Sequence, residues 1–175
     1  MKIIVRIILF LVVVALLLLV GSLFIPKQWE VQSANAIRVE PNVVFKEVNH
    51  LKTWGESTAW TKEKYPEITR SHEGPESGKG AIMKWDDGKM EGVITVENSV
   101  APNALDYDLS MDNGAFEMKG GFEFMPDAEG TRVIWYCRGT ESNPIGKYMM
   151  LFFKPMMEKD FEIGLANLKT RLEKE

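Results

Sequence analysis

The C-terminal stretch from Asn143 to Glu173 constrains the fold most strongly, because it carries a long amphipathic pattern. At helical spacing its large apolar side chains share one face, and lysine and glutamate mark the opposite one. The apolar residues are Met149, Phe153, Met156, Phe161, Leu165, Leu168 and Leu172. The pattern predicts a long helix that covers another apolar surface. Within it Pro155 lacks a backbone N–H, so we expect a kink or break near residues 152–155.

The surface to be covered is predicted between residues 68 and 139, where apolar and polar residues alternate in short runs. The clearest run is Ala104–Met111, with Tyr107 on its apolar face. Asp87-Gly88 and Asn113-Gly114 are two-residue hairpin signals. Because short turns join antiparallel neighbours, this region predicts a meander of about six strands.

An earlier run, Trp29–Val39, also alternates and predicts a first strand. Two short helices are expected after it, one that begins near Pro41 with an apolar stripe from Val44 to Leu51, and one over about residues 51–56. A twisted antiparallel sheet curls around a helix that covers its apolar face. The predicted fold class is therefore α+β, a curved antiparallel sheet of about six or seven strands around one long C-terminal helix.

The N-terminus predicts a membrane-spanning helix. Ile7–Ile25 contains nineteen residues without a charge, and Arg6 is the single charge between residues 3 and 25. This length matches the ~20 residues that cross a hydrocarbon core of ~30 Å. A cleaved signal peptide is the alternative, but its apolar run is only about 7–15 residues long. We expect an uncleaved single-pass anchor over residues 1–26 and one domain over residues 27–175.

The charges that flank this span favour one orientation. Lys2, Arg6 and the amino terminus precede it, and by the positive-inside rule they favour a cytoplasmic N-terminus. Lys27 and Arg38 on the other side act against that orientation. We expect the domain to be exported, to a periplasmic or extracellular location.

Charge and cysteine content exclude two classes of protein. A net charge of −4 and a pI of about 5.4 give no basic surface for nucleic acid, so no nucleic-acid partner is predicted. The single cysteine, Cys137, excludes an intrachain disulfide. It lies in phase with Val133 and Trp135, which predicts a buried apolar role and not a nucleophile.

The motifs for metal, nucleotide and triad chemistry are absent from the sequence. His50 and His72 are far apart, and no cluster of histidine, cysteine and carboxylate has ligand spacing. The loop Gly74–Gly80 contains Gly78-Lys79, but its spacing and the strand that follows do not fit a P-loop. A nucleophile elbow of the Gly-x-Ser-x-Gly type is also missing. We therefore predict no cofactor and no metal.

Several short motifs resemble one known superfamily. They are Gly74-Pro75 and Gly80-Ala81 leading to Trp85, Gly92, Pro102, Tyr107 and Gly121-Phe122, the run Gly130–Trp135, and Asp160–Lys169 in the last helix. With these motifs residues 29–172 resemble the polyketide cyclase/dehydrase-type proteins of the START-like, Bet v 1-like group, also called SRPBCC domains. The resemblance implies the helix-grip fold, and many bacterial members also carry one N-terminal membrane segment.

The resemblance implies a fold more than a function, because the superfamily includes lipid carriers, hormone receptors, cyclases and hydrolases. The residue pattern adds an apolar, aromatic interior in which Tyr107 is the main polar group. We therefore predict a membrane-anchored module that binds a hydrophobic or amphipathic small molecule, such as a lipid, between sheet and helix. The alternatives are a cyclase- or hydrolase-type enzyme and a structural or interaction domain with a closed core.

The predicted ligand-binding residues are the large apolar side chains expected on the inner faces of the sheet and helices. They are Trp54, Trp60, Trp85, Tyr107, Phe122, Phe124, Trp135, Met149, Phe153 and Met156. An empty space among them would favour binding over a closed core, and a buried pair of polar groups would favour an enzyme.

Overall fold

The computed structural model describes residues 2–174; Met1 and Glu175, the outer limits of the predicted anchor and domain, lie outside the described residues. The helices are α1 (Lys2–Ser22), α2 (Pro41–Val48), α3 (Trp54–Ser57) and α4 (Pro144–Leu172), with a 3₁₀ turn at Leu51–Thr53. The strands are β1 (Gln28–Ile37), β2 (Thr69–Glu73), β3 (Ile82–Asp86), β4 (Glu91–Val100), β5 (Ala104–Met111), β6 (Phe116–Asp127) and β7 (Gly130–Thr140). This order confirms the predicted succession of elements.

The strands form one antiparallel sheet of seven strands in the order β1-β7-β6-β5-β4-β3-β2. Strands β2 to β7 are consecutive neighbours, as short turns require, and β1 joins the far side of β7. The two predicted hairpin turns are formed by glycines with positive φ, 80° at Gly88 and 86° at Gly114. The predicted helix-grip fold is confirmed.

Glycine lies opposite an aromatic ring at four cross-strand positions. The pairs are Trp29–Gly139, Trp85–Gly92, Tyr107–Gly120 and Tyr136–Gly121. A Cβ at Gly120 would collide with the Tyr107 ring, and one at Gly121 would lie 2.6 Å from the Tyr136 hydroxyl oxygen. The missing side chains let the rings lie across the neighbouring strand, which fixes the position of the rings on both faces of the sheet.

The C-terminal half of α4 closes the core. Its buried residues have the predicted helical spacing and are Phe161, Leu165, Leu168 and Leu172. Gly164 lets the helix approach the sheet, since a Cβ there would lie 2.6 Å from the Trp135 ring. At the end of the helix, Lys169 Nζ donates to the Ala36 carbonyl at 2.7 Å. This contact fastens α4 along β1.

We expected a kink or a break near Pro155; a break is not present, because α4 is continuous from Pro144 to Leu172. A proline inside a helix removes a backbone hydrogen bond, and its ring clashes with the carbonyl four residues earlier. Here the segments on either side of Pro155 are held by tertiary contacts. Lys147 Nζ donates to the Ser22 carbonyl at 2.9 Å, and Phe161 stacks on Trp135 with ring centroids 4.3 Å apart.

Helix α1 is 21 residues long, and an 18-residue window within it has a mean hydropathy of 3.4. At about 1.5 Å per residue it reaches the ~30 Å of a hydrocarbon core. Within residues 2–174 it is the one helix long and apolar enough to cross a membrane, and a signal sequence would meet the same criterion. Its last turn contacts α4, where the Tyr148 hydroxyl donates to the Leu18 carbonyl at 2.9 Å.

Candidate functional site

A cavity of about 400 Å³ lies between the inner face of the sheet, the segment from α3 to β2, and α4. This volume falls within the ~300–1,000 Å³ of small-molecule sites. The sheet contributes Arg70, Met83, Trp85, Ile94, Tyr107, Leu109, Met111, Met118 and Cys137. The other wall and the β3–β4 turn contribute Trp54, Thr58, Trp60, Tyr65, Ile68, Asp87, Lys89, Met90, Met157 and Phe161. Most of this surface is apolar.

Four of the ten predicted residues line this cavity: Trp54, Trp60, Trp85 and Tyr107. Trp54 belongs to α3, and its indole N–H donates to the Val48 carbonyl at 2.8 Å, which fixes the ring. The ring packs edge-on against Tyr107 with centroids 5.5 Å apart. The cavity wall therefore rests on the buried, oriented rings of Trp54 and Tyr107.

Phe122, Phe124 and Trp135 are buried in an aromatic stack behind the cavity wall. Phe122 stacks on Trp135 at 4.8 Å between centroids and on Phe124 at 6.2 Å. The gap next to Phe122 and Trp135 measures about 10 Å³, which is about one probe sphere. These three residues fill the core, as aromatic residues at closely packed positions do.

Met149, Phe153 and Met156 do not line the cavity, and their predicted placement has to be corrected. All three are exposed on the N-terminal half of α4. At 3.6 residues per turn, Met149 and Met156 lie about 120° and 140° around the helix from Phe161, which is buried, so they point away from the core. Met157 and Phe161 form the α4 wall of the cavity instead.

Several lining residues were not among the predicted ligand contacts. Leu109, Met111, Met118 and Cys137 lie in phase with predicted residues on their own strands, so the alternation signals them. The apolar alternation did not indicate Arg70 as a cavity residue, because β2 is short and polar. Strand register places it, since Arg70 pairs with Trp85 and therefore shares the inner face.

Tyr107 presents a polar group inside the cavity. Its hydroxyl accepts a hydrogen bond of 2.9 Å from the Trp135 indole N–H. Within the described part of the chain no acceptor for the hydroxyl hydrogen of Tyr107 lies within hydrogen-bond distance. Burial raises the pKa of Tyr107 far above its ordinary value. The phenol therefore keeps its proton and is a hydrogen-bond donor for a molecule in the cavity.

Cys137 lies beside Tyr107 on the cavity wall and is almost fully buried. Burial raises the pKa of its thiol to about 12. A thiol with that pKa is protonated near neutral pH, and a protonated thiol is a poor nucleophile. The predicted apolar role of Cys137 therefore agrees with its surroundings.

Arg70 is the half-buried cation of the cavity. Its guanidinium donates to the Trp60 carbonyl, and the absence of a side chain at Gly55 leaves room for it. Burial lowers the pKa of Arg70, although a guanidinium remains protonated at neutral pH. Among residues 2–174 no carboxylate lies within 4 Å of it, unlike Lys64, which pairs with Asp160 at 3.1 Å.

Two further charged residues line the cavity at the β3–β4 turn. Asp87 accepts from the backbone N–H groups of Lys89 and Met90 at 2.9 and 2.8 Å. These hydrogen bonds hold the pKa of Asp87 below its ordinary value. The carboxylate of Asp87 is occupied by the turn itself, and Lys89 adds a second cation to the same region.

Comparison with protein families gives one match. The family model described as "Polyketide cyclase / dehydrase and lipid transport" matches residues 28–173. The matched range contains all seven strands and α2 to α4. It agrees with the resemblance inferred from the motifs. Comparison with curated proteins gives no match.

Three solved structures that share this fold are distant from the chain in sequence. The KanY protein has a TM-score of 0.62 at 15% identity, covering 83% of this chain and 98% of its own. A protein from Rhodobacter sphaeroides has a TM-score of 0.61 at 12% identity, covering 83% and 93%. DynU16, from the dynemicin biosynthetic locus, has a TM-score of 0.58 at 14% identity, covering 82% and 47%. These likenesses show the fold alone.

Proposed function

We propose that this chain, which belongs to the polyketide cyclase/dehydrase and lipid transport family, is a membrane-anchored domain that binds an amphipathic molecule with an anionic head. The apolar body of the ligand occupies the cavity between the sheet and α4, and the head lies at Arg70. The observation that carries the proposal is the cavity of about 400 Å³. A domain with only structural contacts would close such a space, because protein interiors pack to high density.

The cavity walls favour an apolar body for the ligand. Methionine, leucine and tryptophan side chains dominate the lining, and methionine adapts its shape to irregular apolar ligands. Trp60, Trp85 and Met157 contribute from three different elements. The free donor of Tyr107 orients one polar atom of the ligand. Walls of this kind, with few polar groups, are typical of small-molecule binding sites.

Arg70 favours an anionic head. A half-buried guanidinium has lost part of its hydration. Within the described residues, its one hydrogen-bond acceptor is the Trp60 carbonyl. A carboxylate or phosphate placed there forms charge-assisted, bidentate hydrogen bonds with it. Lys89 lines the same cavity and adds to the attraction for a negative charge. An amphipathic anion such as a fatty acid combines both requirements.

Binding is favoured over acid–base catalysis by the protonation of the inner groups. Tyr107 and Cys137 are the titratable side chains deepest in the cavity, and burial raises the pKa of both. A general acid or base is most effective when its pKa is close to the working pH. Neither group meets that condition, so we place the cavity among ligand-binding sites.

We propose that α1 is an uncleaved anchor within residues 1–26 and that residues 27–175 form the binding domain outside the cytoplasm. The contact of Tyr148 with the Leu18 carbonyl supports a retained α1, since cleavage after the span would remove it. Lys2 and Arg6 support a cytoplasmic N-terminus. We expect a protease added to cells with a permeabilised outer envelope to degrade the domain and leave the N-terminus protected. Protection of the whole chain would contradict this orientation and place the domain on the cytoplasmic side.

Photo-cross-linking in vesicles tests the ligand. The full chain is reconstituted and treated with a fatty acid that carries a diazirine in its tail, and labelled peptides are identified by mass spectrometry. We expect label on Met83, Leu109 and Met118, competed by unlabelled fatty acid. We also expect Arg70→Gln to weaken binding at least about tenfold, because a hydrogen bond to a charged group contributes about 1.5–3 kcal/mol.

Two controls accompany this experiment. Arg138→Gln removes a cation from β7 at an exposed position outside the cavity, and binding should be unchanged. The methyl ester of the same probe should bind the native chain and the Arg70→Gln variant alike. If the fatty acid and its methyl ester bind the native chain equally, the proposal of an anionic head is contradicted. If the photo-cross-links are confined to α1 and lipid-facing residues, binding in the cavity is contradicted.

A further inference from the structure

The N-terminal half of α4 carries a row of exposed apolar residues, which we call the apolar stripe: Ile145, Met149, Phe152 and Met156. Their spacing of four, three and four residues puts them on one face of the helix. Between 44% and 75% of each side chain is exposed. Phe153 lies beside the stripe and is also exposed, so the apolar surface extends over about three turns.

The amphipathicity of this half of α4 is inverted relative to that of a soluble surface helix. Its two lysines lie on the side opposite the stripe, since Lys147 is buried and Lys154 is half-buried. Lys147 Nζ donates to the Ser22 carbonyl at the C-terminal end of α1, where the helix dipole favours a cation. The polar groups therefore face the protein and the apolar groups face outward, which water alone does not favour.

The contacts between α4 and α1 fix where the stripe lies relative to the membrane. The Tyr148 hydroxyl donates to the Leu18 carbonyl, four residues before the end of α1. A Cβ at Gly21 would collide with the Tyr148 hydroxyl, so this glycine permits the contact. Four residues correspond to about 6 Å along a helix. The start of α4 therefore lies beside the last turn of the apolar span, at the depth of a membrane interface.

The charge of this segment suits a lipid surface. Between Glu141 and Glu158 the sequence contains Lys147 and Lys154 and no acidic residue, although the whole chain has a net charge of −4. Interfacial helices combine a large apolar face with lysine or arginine, and they bind anionic lipids most strongly. The exposed Leu23 and Phe24 at the end of α1 extend the same apolar surface.

We infer that the apolar stripe of α4 is a second membrane contact, buried in the interface of an anionic bilayer beside α1. This inference rests on the part of the proposed function in which α1 remains in the membrane. It goes beyond anchoring, because an anchor alone leaves the domain free to rotate about its connection. With the stripe in the lipid, the domain has one orientation on the bilayer.

This orientation has a consequence for the cavity. Met157, the residue after the last member of the stripe, lines the cavity, and Phe161 follows one turn later. The α4 wall of the cavity is therefore continuous with the segment in the lipid. A ligand that enters or leaves along α4 passes directly between the bilayer and the cavity, without crossing bulk water.

Depth measurement on the full chain tests the inference. The environment-sensitive dye NBD is attached to Phe152→Cys in vesicles of phosphatidylcholine and phosphatidylglycerol; the native Cys137 is buried and does not compete for the label. We expect a blue-shifted emission at Phe152→Cys and about threefold more quenching by nitroxide-labelled lipids than at Glu162→Cys. The reason is that the apolar face of an interfacial helix lies ~5–10 Å below the headgroups. Glu162 lies on the same helix, exposed, in the half that covers the sheet.

Three outcomes are distinguished. Lipid quenching at Phe152→Cys and at Met156→Cys, the second variant, supports the inference. Aqueous emission at both positions overturns it. A blue-shifted label that lipid nitroxides do not quench also overturns it and indicates that a second copy of the chain covers the stripe. The intact mass of the membrane-extracted protein separately reports whether α1 is retained, and none of these readouts requires a cavity ligand.

Discussion

Trp135→Ala is expected to lower the free energy of unfolding by about 3–5 kcal/mol, the range for removal of a large buried aromatic side chain. Trp135 is 1% exposed and belongs to the hydrophobic core. Its ring stacks on Phe161 of α4 and on Phe122 of β6, and its indole N–H bonds to Tyr107. Domains have about 5–15 kcal/mol of stability in total, so this variant approaches complete unfolding.

Guanidinium denaturation of the full chain in mild detergent, followed by circular dichroism, measures this effect. Ile134→Ala is the matched control on the same strand, because Ile134 lies half-buried on the opposite face. It should lose less than half as much stability. Trp135→Phe keeps a ring but removes the N–H donor, and an intermediate loss is expected. Equal losses in Trp135→Ala and Ile134→Ala would show that the aromatic stack does not dominate the core.

Leu109→Trp is expected to weaken ligand binding at least about tenfold without destabilising the fold. Leu109 lies in the middle of β5 and faces the cavity, so a larger ring there occupies space that the ligand needs. Overpacking normally costs about 1–3 kcal/mol in a filled core, but here a cavity of about 400 Å³ receives the added atoms. We expect photo-cross-linking by the fatty-acid probe to fall at least about tenfold, the loss that corresponds to about 1.4 kcal/mol.

Ser110→Trp is the control for this variant. Ser110 is the next residue of β5 and its side chain points to the other face of the sheet, so the same ring is added outside the cavity. Cross-linking should stay at the native level in Ser110→Trp. Native cross-linking in Leu109→Trp, with unchanged thermal unfolding, would show that the ligand does not occupy this cavity.

The fold itself was largely predictable because local patterns determine its elements. Strict alternation along Ala104–Met111 predicted β5, and Asp87-Gly88 and Asn113-Gly114 predicted the turns that make neighbouring strands antiparallel. The buried residues Phe161, Leu165 and Leu168 have the predicted helical spacing. These signals are short-range, and each follows from the period of a strand or a helix.

The candidate site was only partly predictable, because it depends on how elements meet. The alternation placed Trp85 and Tyr107 on the inner face of the sheet, where they line the cavity. It did not distinguish them from Phe122 and Trp135, which lie on the same face but are covered by packed rings. Whether a side chain on this face lines the cavity or is covered depends on which residue of α3 or α4 lies opposite it.

Local patterns were sufficient to predict the strand succession, the turns, the long C-terminal helix and the apolar N-terminal span, because hydrophobic period and turn chemistry are encoded in short segments. Which surface each face of α4 contacts depends on tertiary packing. A helical period states that Phe152 and Phe161, nine residues apart, lie on opposite faces of α4, but only the packing against the sheet put Phe161 in the core and left Phe152 exposed. Strand register likewise brought Arg70 beside Trp85, and register arises from pairing between segments and not from either segment alone.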